Sequence, residues 1–231
     1  MDNLRIIGTS HIASQSVKEI TKAIKEDKPD IIALELDKRR FISLMQGDPE
    51  KAQKPKIKDI GFNGFLFYSF GQFIQKKLGN KIGISPGSEM KTAALLAKEN
   101  KIKIALIDRD IILTLKSLSK NITRREKWNF VKDFFKGIFG KPDKELLENL
   151  DLRKVPDDKL ISKLLESVKD RYPGLFKSLV EERNLIMAVN IAKLLRQSPE
   201  SNILVIVGAG HKEDLEEEIA RRINREIFVA G

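Results

Sequence analysis

The chain has no cysteine and only two histidines in 231 residues. Without cysteine there is no disulfide framework, no Cys-ligated zinc or iron–sulfur site and no thiol nucleophile. Two histidines exclude a His-only metal site with three or more ligands from one chain. A metal or acid–base centre must therefore combine carboxylates with at most two imidazoles. No segment approaches the ~20 uninterrupted apolar residues of a membrane span. The opening residues lack the basic and apolar regions of a secretory signal, so a cytoplasmic location is the default expectation. The last residues, 227–231, form a strand-like apolar run, which suits the soluble part of a longer, membrane-associated protein.

Charged residues make up 33% and hydrophobic ones 41%, a folding composition, and the length suits one domain, 1–231, with an insertion. The net charge of +10 is uneven. Residues 1–50 carry 8 basic and 9 acidic side chains, residues 51–103 carry 11 and 3, and residues 104–231 carry 24 and 21. The basic quarter also holds Phe62, Phe65, Phe67, Tyr68, Phe70 and Phe73, followed by Gln75, Lys76 and Lys77. Basic residues beside an apolar helix can mark a membrane surface, while the ordinary reading is a core helix with a solvated basic flank. Nucleic acid is not an expected partner, because the aromatics follow helical spacing and no binding motif accompanies the charge.

Residues 4–7 read as a first strand. A helix follows, capped by Ser14 or Ser16, with Val17, Ile20, Ala23 and Ile24 on one face. Residues 31–36 are a nearly continuous apolar run, the pattern of a strand buried on both faces. Strand, helix and strand in this space predict a βαβ unit with parallel, neighbouring or near-neighbouring strands. The other end repeats the pattern: strand 203–207, a helix with Leu215, Ile219 and Ile223 on one face, then strand 227–229. Between them lie a helix over 89–100, a strand over 103–107 and a helical section over about 111–196. Gly140-Lys141-Pro142, Val155-Pro156 and Tyr172-Pro173-Gly174 punctuate that section. The predicted class is α/β: a mainly parallel central sheet with flanking helices and a helical insertion.

Both histidines occupy one frame, Gly8-Thr9-Ser10-His11 and Gly208-Ala209-Gly210-His211, each after an apolar strand and before a helix. Glycine permits a sharp turn off the strand end, and the histidine is then presented at the carboxyl edge of the sheet, where open α/β folds bind ligands. The ordinary alternatives are helix-capping histidines or a phosphate-binding turn, and neither frame completes a dinucleotide or P-loop signature. Glu35 interrupts an apolar strand, and a buried carboxylate requires a partner or a metal. Arg39 or Arg40 would be its ordinary salt-bridge partner. Glu89 falls in the first turn of a helix, where a dipole role is usual. Asp108-Arg109-Asp110 closes a strand. Glu181-Glu182-Arg183-Asn184 lies within a helix, where a solvated ion-pair face is the usual reading.

These blocks together resemble the TraB/PrgY (pheromone-shutdown) family, related to the TIKI proteases and more remotely to ChaN-like and erythromycin-esterase-like proteins. The likeness covers nearly the whole chain. It rests on the Gly8–His11 frame, residues 33–40 (ALELDKRR), the aromatic helix leading to residues 75–79 (QKKLG) and 86–90 (PGSEM), residues 106–110 (LIDRD), residues 181–187 (EERNLIM) and the final 207–211 (VGAGH). The resemblance implies a hydrolase fold that depends on a metal or on His and Glu, with the active site between the two Gly-x-x-His turns. It implies His11, Glu35 and His211 as the central constellation, lined by Glu89, Arg109 and Arg183.

The expected reaction is metal-assisted hydrolysis of a peptide or amide bond. His11, Glu35 and His211 would hold Mn²⁺, Co²⁺ or Zn²⁺, Glu89 would act as general base, and Arg183 or Arg109 would meet the oxyanion or a substrate carboxylate. A metal-free version has one histidine as base, oriented by Glu35. The competing class is a module that binds or sequesters a peptide signal, at a membrane surface through residues 51–103. Expected partners are a peptide or signal substrate, that membrane surface and a second copy of the chain.

Overall fold

Four short apolar runs form one parallel sheet: β1 (Leu4–Thr9), β2 (Ile31–Leu34), β3 (Lys103–Leu106) and β4 (Ile203–Gly208). The computed structural model describes residues 3–9, 14–46, 55–82, 87–139 and 158–229. The strand order is β1-β4-β2-β3, with every neighbouring pair parallel. β1 and β2 are therefore near neighbours, with the last strand of the chain inserted between them. The two inner strands, β2 and β4, are buried at every position, which is why both sequences are unbroken apolar runs.

Alternate residues of these strands face two helical layers. On one face, Ile32, Leu34, Leu204 and Ile206 pack with Ile20, Ala23 and Ile24 of α1 (Ser14–Asp27) and with Met90, Ala93, Ala94 and Ala97 of α4 (Ser88–Glu99). Phe41 and Leu44 of α2 (Lys38–Gln46) close its edge. On the other face, Ala33, Ile203, Val205 and Val207 meet Met187, Ala188 and Ile191 of α9 (Glu182–Gln197) and Leu215 and Ile219 of α10 (Ala209–Val229).

Between β3 and β4 the described chain is helical, as the sequence predicts. It comprises α5 (Ile111–Asn121), α6 (Arg124–Phe139), α7 (Asp158–Arg171), α8 (Pro173–Phe176) and a π-helical turn (Lys177–Glu181) that runs into α9. The predicted breaks at residues 140–142 and 155–156 lie outside the described residues. α3 (Ile57–Ile82) packs on α5 through Ile60, Leu115 and Leu118. It bends at Gly61, where φ is 72° and an added Cβ would lie 2.7 Å from Ser119 Oγ. A side chain there would meet both a strained backbone and a clash.

Three sequence expectations are corrected. The strand predicted over 31–36 ends at Leu34, because the Leu36 N–H donates back to the Leu34 carbonyl (2.7 Å) and turns the chain. Residues 227–229 belong to α10 rather than to a strand. No Gly or Pro follows Gly210 before Val229, and the spacing of Leu215, Ile219 and Ile223 continues to Ile227. Finally, Gly8 lies within β1, with Thr9 continuing the strand, whereas Gly208 is the last residue of β4 and leads directly into α10. Gly8 instead permits close approach, since a Cβ there would lie 3.1 Å from Ala209 Cα in the first turn of α10.

Candidate active site at the carboxyl edge of the sheet

In a parallel sheet, a helix that feeds a strand runs antiparallel to it and begins beside the carboxyl edge. α4 feeds β3 and α9 feeds β4, so Glu89, Arg183 and Asn184 all start their helices at that edge. Glu35 follows β2, Asp108 follows β3 and His211 opens the helix after β4. The topology therefore gathers residues more than 170 positions apart.

Arg183 is the hub. Its Nη2 meets Glu35 Oε1 and donates to Asp108 Oδ2 (2.6 Å), and its Nε donates to Asp108 Oδ1 (3.1 Å). Nη1 donates to the Leu179 carbonyl (3.1 Å) and lies 3.0 Å from His211 Nε2. Glu35 Oε2 accepts the Gly208 N–H at 2.5 Å, which ties the end of β2 to the end of β4. Arg40 pairs with Asp108 and, through Nε, with Asp37 Oδ2 (2.7 Å). Asp37 also caps α2, accepting the N–H groups of Arg39 and Arg40.

Burial pushes the Asp108 carboxyl up, but the guanidiniums of Arg183 and Arg40 outweigh it and hold the carboxyl below its usual range. Burial likewise disfavours the charge on Arg183, and Glu35 and Asp108 more than restore it. The salt-bridge partner expected for Glu35 was Arg39 or Arg40. The partner is Arg183, while Arg40 serves Asp37 and Asp108, and Arg39 lies 3.3 Å from Asp110. The solvated face expected over 181–184 is also corrected. Arg183 is only 14% exposed at its side chain and Asn184 is buried, because α9 starts over the sheet edge rather than in solvent.

Arg109 belongs to an adjacent network. It pairs with Glu182, which also accepts from Ser117 Oγ and from Asn121 Nδ2 (3.1 Å). Burial raises the Glu182 carboxyl, but Ser117, Arg109 and Asn121 together bring it below its usual value. Glu89 is buried in the first turn of α4. His11 lies outside the described residues. Sequence reasoning missed Asn184, whose Oδ1 lies 2.7 Å from His211 Nδ1, and placed Asp108 only at the close of a strand. A signal for Asp108 was present: it follows β3 as Glu35 follows β2, a charge closing an apolar run.

Can these residues hold a metal ion? His211 Nε2 and Glu35 Oε1 lie 3.5 Å apart. Two donors on one tetrahedral ion at about 2.0–2.1 Å lie about 3.4 Å from each other. The pair thus fits a small cation by spacing and donor type, and the cation it meets in this fold is the Arg183 guanidinium. Among the described residues no group of three or more His, Asp or Glu side chains is arranged for an ion, so a third donor would have to come from elsewhere.

The fold and this edge define an α/β protein with a buried Arg–carboxylate–imidazole cluster at the ends of parallel strands. The chain belongs to the TraB/PrgY/gumN family, whose model matches residues 2–214. It is 35% identical over 216 residues to Uncharacterized protein MJ1365 of Methanocaldococcus jannaschii, covering 92% of this chain and 52% of that protein. It is 22% identical to a TraB domain-containing protein of Bos taurus and 21% identical to one of Homo sapiens, covering 95% of this chain and 63% of each relative. The chain therefore spans between about half and two thirds of the length of these relatives.

Proposed function

We propose that the chain is a hydrolase acting on a peptide or signal-like amide bond, with His11, Glu35 and His211 as its centre. The observation that carries this reading is the convergence of His211 Nε2 and Glu35 Oε1, 3.5 Å apart, on a fixed cation at the strand ends. His211, Glu35 and His11 would hold a divalent ion, Mn²⁺, Co²⁺ or Zn²⁺. When bound, such an ion activates a water and polarises the scissile carbonyl. Asp108 grips Arg183 through two of its nitrogens and the remaining N–H groups meet Glu35, His211 and the Leu179 carbonyl, so the guanidinium would act on a developing oxyanion or a substrate carboxylate through its fixed charge. Glu89 would accept the proton of the attacking water, and Arg109 steadies Glu182 at the start of α9.

The test is peptide cleavage together with metal content in His211→Ala and His11→Ala proteins. Loss of both supports the reading. Unchanged cleavage and unchanged metal content in both variants defeat it. Metal content that falls while cleavage survives chelation points to the metal-free version, with an imidazole as general base. Retained peptide binding with no turnover in the parent protein assigns the cleft to sequestration instead.

A second reading concerns residues 51–103. Among the described residues no helix is long and apolar enough to cross a membrane. Ile57, Phe62 and Leu66 of α3 are nevertheless exposed, at 49%, 65% and 49%, beside exposed Lys56 and Lys58. This pairing of apolar and cationic groups suits an anionic lipid surface. Vesicles with anionic lipid should sediment the protein, and zwitterionic ones should not. Lys56→Glu with Lys58→Glu should weaken that binding while cleavage is unaltered. Binding that ignores both salt and lipid charge would sink this reading. The side chains of Lys76 and Lys77 lie outside the described residues.

A further inference from the structure

Four side chains link the buried cluster to the outer helical layer, and their donors and acceptors leave a single direction. Arg183 can only donate, so His211 Nε2, 3.0 Å from its Nη1, must accept. The proton of the neutral imidazole is then on Nδ1, which faces Asn184 Oδ1 at 2.7 Å. At the other end, Asn184 Nδ2 donates to Asp214 Oδ2 at 3.4 Å. An ionised carboxylate can only accept, so Asp214 sets the amide with its oxygen towards the imidazole. Asn184 and His211 are both buried, so solvent competes little with these partners for the ring.

We propose that Asn184 is a positioning residue for His211, with Asp214 orienting its amide. Together they hold the imidazole in the Nδ1–H form and keep the Nε2 lone pair aimed at Arg183 and Glu35. In water, neutral histidine prefers its proton on Nε2, so the fold selects the other tautomer. The selection matters for the proposed hydrolase, on which this inference rests, because a base or a metal ligand needs an unprotonated Nε2. Asn184 reaches the ring because a π-helical turn, closed by Glu182 N–H donating to the Lys177 carbonyl, immediately precedes α9. Arg183 and Asn184 are thereby placed on the two nitrogens of one ring.

The experiment is a two-bond proton–nitrogen-15 correlation spectrum of the histidine-labelled full chain, chelator-treated and mildly alkaline, with no substrate. Only two histidines contribute, and His11→Asn assigns the His211 signals. The expected spectrum has a protonated Nδ1 and an unprotonated Nε2. Asn184→Leu should lose that pattern, moving the proton towards Nε2, while Asn184→Asp, which still accepts, should keep it. A parent spectrum with the proton on Nε2 overturns the proposal without any variant. So does an Asn184→Leu spectrum identical to that of the parent. Because no substrate is present, the correct tautomer in a protein that cleaves nothing would defeat the hydrolase reading and leave this assignment standing.

Discussion

Arg183 and Arg221 each lie between two carboxylates, yet they are in opposite situations. Arg183 bridges Glu35 and Asp108, whose side chains are 4% and 0% exposed, at the meeting point of three strand ends. Arg221 bridges Glu217 and Glu218 on the outer face of α10 with 62% of its side chain in solvent. The pair types are the same, so the difference is the medium. Exposed pairs are screened and hold two flexible side chains for little gain, while buried pairs repay their desolvation only if every partner stays in place. The buried cluster is therefore a device for orientation more than for stability, and it is vulnerable to the loss of one member.

The largest test of that contrast is Arg183→Met, which keeps the bulk and leaves Glu35 and Asp108 without their shared guanidinium. Urea unfolding should show a loss of about 3–5 kcal/mol, the usual penalty for breaking a buried pair, together with loss of the proposed peptide cleavage. A loss below about 1 kcal/mol would mean that the two carboxylates are hydrated or neutralised without it, and the comparison would collapse.

Acid should expose the same cluster next. The Asp108 carboxyl titrates lower when folded than when unfolded, so its contribution is complete above the unfolded value and disappears as pH falls through the folded one. Stability should drop below roughly pH 4, and Asp108→Asn should make the curve flatter there. An unchanged slope in that variant would remove Asp108 from the cluster's energetics.

A smaller effect is expected at Asp110, which caps α5 through the Ile112 N–H (2.7 Å) without being deeply buried. Asp110→Ala should cost about 1 kcal/mol in thermal or urea unfolding. A cost approaching that of Arg183→Met would show that capping, and not burial, separates the two regions. Smallest of all, Arg221→Ala should change stability by less than about 0.5 kcal/mol and leave the proposed cleavage untouched. A larger change would mean that the outer face of α10 is a coupled network.

Much of the architecture was readable from the chain. The apolar runs read at 31–36 and 203–207 mark the two inner strands, observed over 31–34 and 203–208, because only strands covered on both faces need to be apolar throughout. Glu35 stood out for the same reason, as a charge inside such a run, although the strand itself ends one residue before it. The partner of Glu35 was not readable. Arg39 and Arg40 are close in sequence, but the chain turns at Leu36 and the capping geometry of Asp37 carries Arg40 towards Asp108. Asn184 gave no signal either, since an amide inside a helix is unremarkable until a ring nitrogen lies against it. The error at residues 227–229 had another cause. A three-residue apolar run fits either period, and the preceding helical stripe decided it.

By itself, the amino-acid sequence determined the α/β class, the positions of the buried apolar strands, and the restriction of any metal centre to carboxylates beside at most two imidazoles. Only the tertiary structure decided which of these groups meet. The insertion of β4 between β1 and β2 brings Gly208 onto Glu35, and the antiparallel return of α9 delivers Arg183 and Asn184 to His211. The physical reason is that a buried charge takes its partner from whatever the strand order and helix direction place within about 3 Å, the reach of a hydrogen bond. Those long-range choices leave no trace in local spacing.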